Sequence, residues 1–114
     1  MSYNVIEGST IQFYTSVPFT SISGTVVNPD KVQFSYSVQG QTEQTFTWTN
    51  PTGDPTNTIH QGSQGTGYFY ANISTVGTPG TWNWKWFGYP SSGADTTATQ
   101  VAAEGTVIVS ASDL

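Results

Sequence analysis

Apolar and polar residues alternate with a period of two along nearly the whole chain, and no window carries an apolar stripe of helical period between capping residues. That pattern restricts the chain to strands. Over 31–38, Val32, Phe34, Tyr36 and Val38 share one face and Gln33, Ser35 and Ser37 the other, just after the turn signal Asn28-Pro29-Asp30. Over 10–17, Ile11, Phe13 and Val17 are expected on one face, and Pro18 limits the next few residues to an edge or a turn. Gly40 separates 31–38 from 43–49, where Phe46 and Trp48 oppose Thr45, Thr47 and Thr49, so the two runs read as a hairpin. The stretch 50–66 holds Pro51, Gly53, Pro55, Gly62 and Gly65, with Ile59 as its anchor, and reads as one long connection. Alternation resumes over 67–73, with Phe69, Ala71 and Ile73 inward and Tyr68, Tyr70 and Asn72 outward.

Thr78-Pro79-Gly80-Thr81 then fits a type II turn, because Pro presets the first central residue and Gly accepts the positive φ of the second. The strand after it puts Trp82, Trp84 and Trp86 on one face and Asn83, Lys85 and Phe87 on the other, ending at Gly88. Residues 89–93 read as a loop, 94–103 give no clear pattern, and 105–110 close the chain with Val107 and Val109 inward and Ile108 outward. About seven short strands in a chain of this length fit a two-sheet antiparallel β-sandwich. At 114 residues, 1–114 is expected to be a single domain.

Composition narrows the function. Aromatic residues are 14% of the chain against 35% hydrophobic in total, so the core is built from a few large rings. Only 8% of residues are charged, with Lys+Arg 2 against Asp+Glu 7 and a net charge of -5. No basic surface is available for phosphates or anionic lipid, so neither nucleic acid nor membrane is an expected partner. The amino-terminal residues have no positive segment followed by an apolar one, so the product is expected to stay where it is made. Cysteine is absent, which removes disulfides from the argument.

Three segments in order carry a resemblance: Gly65-Thr66-Gly67-Tyr68-Phe69-Tyr70-Ala71-Asn72-Ile73, Pro79-Gly80-Thr81-Trp82-Asn83-Trp84-Lys85-Trp86, and Ala103-Glu104-Gly105-Thr106-Val107-Ile108-Val109. They resemble the second half of small immunoglobulin-like domains of tailed-bacteriophage virions, and Asn28-Pro29-Asp30-Lys31-Val32-Gln33-Phe34-Ser35 is a looser match upstream. This chain departs from the pattern at Phe69, where Tyr is usual, and in the long connection before His60. The resemblance implies an immunoglobulin-like sandwich and a non-catalytic virion protein, made in the host cytoplasm. In that reading it decorates the capsid shell, with a place on the neck or tail as the alternative. Its implied partners are the major capsid protein or other virion proteins, and further copies of itself on the particle.

Exposure nominates the candidate residues. Outward aromatics on a charge-poor surface are what the centre of a protein interface contains, which points to Tyr68, Tyr70, Phe87 and the loop residue Tyr89 as partner contacts. A second reading is a carbohydrate-binding module stacking sugar rings on Trp48, Trp86 or Tyr89. The bland reading of Trp82, Trp84 and Trp86 is core, with Trp86 the one expected to reach the rim. Catalysis lacks its parts. His60 is a single histidine in a Gly/Pro-rich stretch, and Glu7, Glu43 and Glu104 are dispersed along the chain. Glu104 is expected to cap or turn the start of the last strand, and Asp54 and Asp95 to stabilise turns. Asn72-Ile73-Ser74 matches a glycosylation sequon but falls on an expected strand. No phosphate loop, dinucleotide fingerprint or Cys/His cluster occurs, so no cofactor and no metal is expected.

Overall fold

Strands form where the alternation is cleanest, and several also form where it is weak. A computed structural model describes residues 2–20, 24–50, 52–89 and 100–112. Its eight strands are β1 (Ser2–Ile6), β2 (Thr10–Tyr14), β3 (Lys31–Val38), β4 (Gln44–Thr49), β5 (Ile59–Gln61), β6 (Phe69–Ser74), β7 (Gly80–Tyr89) and β8 (Gln100–Ser110). There is no helix among the described residues. The larger sheet has the order β1-β8-β7-β3-β4 and the smaller the order β2-β6-β5. Strand β1 runs parallel to β8 and every other pairing is antiparallel.

The inward faces of the two sheets interleave aromatic rings. Phe13 of β2 lies 5.1 Å from Phe34 of β3 and 6.2 Å from Trp82 of β7, centroid to centroid. Phe69 of β6 meets Trp48 of β4 edge-on at 4.8 Å. Ring pairs in these offset and edge-on geometries add to the area term at about 0.5–1.5 kcal/mol each. Val107 and Val109 complete the buried face of β8, and Ala71 and Ile73 that of β6, as their periodicity requires.

Several elements differ from the sequence expectation. β1 pairs with β8 in register Val5 to Val109, so a parallel edge strand is added to the predicted set. The stretch 50–66 is not one uninterrupted connection, because it contains β5, which pairs Ile59 with Ala71. β2 stops at Tyr14, and Val17 is 55% exposed instead of continuing the inward face. The cause is Thr15: its amide donates to the Phe69 carbonyl at 3.0 Å and its hydroxyl accepts from the Phe69 amide at 3.0 Å. That exchange ends the regular ladder, and the chain bends before Pro18 to deliver Phe19 into the core at 0% exposure.

Phe19 also explains Gly88. A Cβ at Gly88 would sit 2.8 Å from the Phe19 ring, so any other residue there must displace the ring. The predicted turn over 78–81 is displaced. The reverse turn runs from Thr75 to Thr78, closed by the Thr78 amide on the Thr75 carbonyl at 3.1 Å, with Gly77 at φ 76°. Pro79 therefore leads directly into β7. The last strand begins at Gln100, which absorbs the described part of 94–103, and it carries a bulge opposite Trp86 and Phe87.

Candidate functional site

The tryptophans sort first. Trp82 and Trp86 are fully buried and Trp48 is 9% exposed. Trp82 stacks on Tyr36 at 4.7 Å and its indole donates to the Thr78 carbonyl at 2.8 Å, while Trp86 packs on Phe34 at 4.7 Å. The rim position expected of Trp86 belongs instead to Trp84, which is half-buried. Trp84 faces Gly105 in the β8 register, where no side chain covers it, and borders a 160 Å³ crevice with Gln12, Phe13, Tyr14, Ser16 and Ala103. Trp48 and Trp86 therefore present no ring face to a sugar.

The nominated contact residues fall on two opposite surfaces. On the outer face of the larger sheet, Phe87 and Tyr89 meet edge-on at 6.2 Å. Lys31 places its ammonium 4.2 Å from the centre of the Tyr89 ring, and Lys85 lies 5.7 Å from that of Phe87. The Tyr89 hydroxyl donates to Gln33 Oε1 at 3.2 Å, and Gln33 Nε2 donates to the Thr47 hydroxyl at 3.1 Å. Next along the face, Ser35 and Thr45 share a hydroxyl hydrogen bond of 3.0 Å. Val101 is 52% exposed opposite Phe87, and Ile108 and Ile6 are 37% and 58% exposed farther along the β8 and β1 side. The result is a polar field of hydroxyls and amides with separate apolar anchors and both lysines of the chain.

The same face gathers two of the carboxylates. Glu43 and Glu104 border a shallow depression of 370 Å³ with Lys85, Asn83 and Ser37. Glu104 lies on β8 and Glu43 just ahead of β4, three strand positions away in the sheet order. Glu104 pairs with Lys85 in mid-strand and neither caps nor turns. Glu7 lies elsewhere and accepts from the Gly77 amide at 2.9 Å and the Ser112 amide at 3.2 Å.

Tyr68 and Tyr70 lie with the smaller sheet. Its outer face aligns Tyr14, Tyr70 and His60 across β2, β6 and β5. The His60 ring stacks on Tyr70 at 5.2 Å with an interplanar angle of 30°, and Tyr14 is 53% exposed. Tyr68 precedes β6, its carbonyl accepting from the Gly62 amide at 2.7 Å. Sequence reading missed Tyr14 and His60 as members of a surface. Parity within 10–17 was enough to turn Tyr14 outward, whereas a three-residue strand gives His60 too short a pattern to register.

Asp54 organises the approach to β5. Its carboxylate accepts from the Ile59 amide at 2.8 Å, the Thr58 amide at 3.1 Å, and the Thr56 amide and hydroxyl at 2.8 and 2.7 Å. Partial burial pushes its pKa up, but the bonds from Ile59, Thr56 and Thr58 outweigh it and hold the carboxyl below the ordinary value. Asp95 lies outside the described residues. Among the described residues, no three His, Asp or Glu side chains come together as metal ligands. Comparison with family models and with curated proteins gives no match.

Proposed function

We propose that this chain is an immunoglobulin-like module of a tailed-phage virion, decorating the capsid shell through the outer face of its larger sheet. The strand order is the observation that supports the reading. If β2 to β8 are named B, C, C′, D, E, F and G, the orders read B-E-D and G-F-C-C′ with β1 added beside G, which is compatible with a variable-type immunoglobulin sandwich and supports the reading. The three resembling segments then fall on E, F and G in turn.

The larger face suits docking because Phe87, Tyr89, Val101 and Ile108 stand among neutral hydroxyl and amide groups, the mixture found in interfaces that form after folding. Lys31 and Lys85 stand on this face with Glu43 and Glu104, so its formal charges balance and it can approach a partner without the repulsion expected of a chain of net charge -5. Each contact is modest, and repetition over a symmetric shell makes the sum stable.

The test is reconstitution. Particles stripped of this chain are mixed with purified wild-type protein or with the Phe87→Ser, Val101→Ser double variant, and bound protein is measured after sedimentation. Wild-type protein binding to saturation, with the variant reduced about tenfold or more, is expected from loss of two apolar anchors. Equal occupancy by the two proteins refutes the docking face, and failure of the wild type to sediment refutes the virion role.

A further inference from the structure

The opposite face of the sandwich has a different chemistry. Strands β2, β5 and β6 read TIQFY, IHQ and FYANIS and hold no Lys, Arg, Asp or Glu. Across them Tyr14, Tyr70 and His60 stand in one row, spanning two strand spacings or about 10 Å. A 480 Å³ hollow adjoins the row, lined by Gln12, Tyr14, Gln61, Ser63, Gln64 and Tyr70 among others. Gln12, Gln61 and Gln64 are exposed, and each amide offers both donors and an acceptor.

This combination selects among ligands. Ring faces flanked by neutral amides match a pyranose, which has C–H faces that stack on aromatics and hydroxyls that both donate and accept. A polyanion finds no cation on these strands and meets the repulsion of an acidic protein. A purely apolar ligand strips water from the amides without replacing its hydrogen bonds. We propose that the row of Tyr14, Tyr70 and His60 is a binding site for an uncharged polysaccharide. Tyr14 and Tyr70 stack on sugar rings, Gln12 and Gln64 hydrogen-bond the hydroxyls, and His60 is a positioning residue that holds the Tyr70 ring. The site is independent of the docking face, which lies on the other sheet.

Affinity electrophoresis of the intact chain tests it, in native gels containing dextran, mannan, laminarin or xylan, with alginate as the anionic comparison. Retardation is expected in at least one neutral gel and not in alginate. Tyr14→Ala should weaken it about tenfold, as loss of one stacking partner does. Tyr14 is exposed, so this variant should keep its fold, which thermal unfolding verifies. His60→Ala should also weaken retardation and His60→Phe restore it, since an aromatic ring beside Tyr70 suffices; Phe87→Ala should leave it unchanged. Absence of retardation in all four neutral gels, retardation undiminished by Tyr14→Ala, or retardation in alginate alone overturns the proposal.

Discussion

Thr75 links two turns that are far apart in sequence, and replacing it by valine measures that link. Its side chain is fully buried; the hydroxyl accepts from the Gly8 amide at 3.0 Å and donates to the Ser9 carbonyl at 2.6 Å. Valine has nearly the same shape, so Thr75→Val removes both bonds without opening a cavity. The Ser9 carbonyl keeps a second donor, the Thr75 amide at 3.0 Å, and Gly8 is exposed enough for water to reach its amide. The cost therefore falls in the middle of the range for lost hydrogen bonds, about 2 kcal/mol, and not at its top. For a domain of this size that lowers Tm by about 8 °C. Thr75→Ser keeps the hydroxyl and loses one methyl, about 1 kcal/mol. Urea and thermal unfolding should thus rank wild type above Ser above Val, with unchanged m-values. Valine at or above wild-type stability, with serine below it, would show that Thr75 contributes by packing alone and refute the hydrogen-bond account.

Other consequences rest on single residues. Gly88→Ala forces the Phe19 ring aside and should cost about 1–3 kcal/mol, read as a lowered urea midpoint. Asp54 has a pKa below its unfolded value, so it adds stability that is present above about pH 4 and lost as pH falls through the lower folded value; Asp54→Asn should flatten that part of the stability-against-pH curve. Because Trp82 and Trp86 are fully buried and Trp48 nearly so, acrylamide should quench chiefly Trp84, and Trp84→Phe should remove most of the accessible fraction. An accessible fraction unchanged by that substitution would contradict the packing of the larger sheet.

Local alternation is a good guide wherever a strand is long. It gives β3 its boundaries and both faces, puts Trp82, Val107 and Val109 inside, and turns Tyr68 and Tyr70 outward. It fails where the determining contact is distant. β1 is defined by a parallel partner about a hundred residues away, β5 is three residues long, and Phe19 is buried by a bend of the chain ahead of Pro18. The surface is half legible for a related reason. Periodicity says which way a side chain points from its own strand, but not which sheet that strand joins. Tyr70 and Phe87 both point outward, yet from opposite sheets, so the predicted aromatic cluster is two surfaces. The three tryptophans of β7 share one parity, and only the partner strands decide that Trp84, facing Gly105, is the one near solvent.

The virion role is tested most directly by counting copies of this chain in purified particles from its source, by quantitative mass spectrometry against the major capsid protein. Shell decoration predicts on the order of hundreds of copies in fixed ratio to the capsid protein, as lattice symmetry requires. A handful per particle would contradict decoration and move the chain to the neck or tail, and none would contradict the virion role itself.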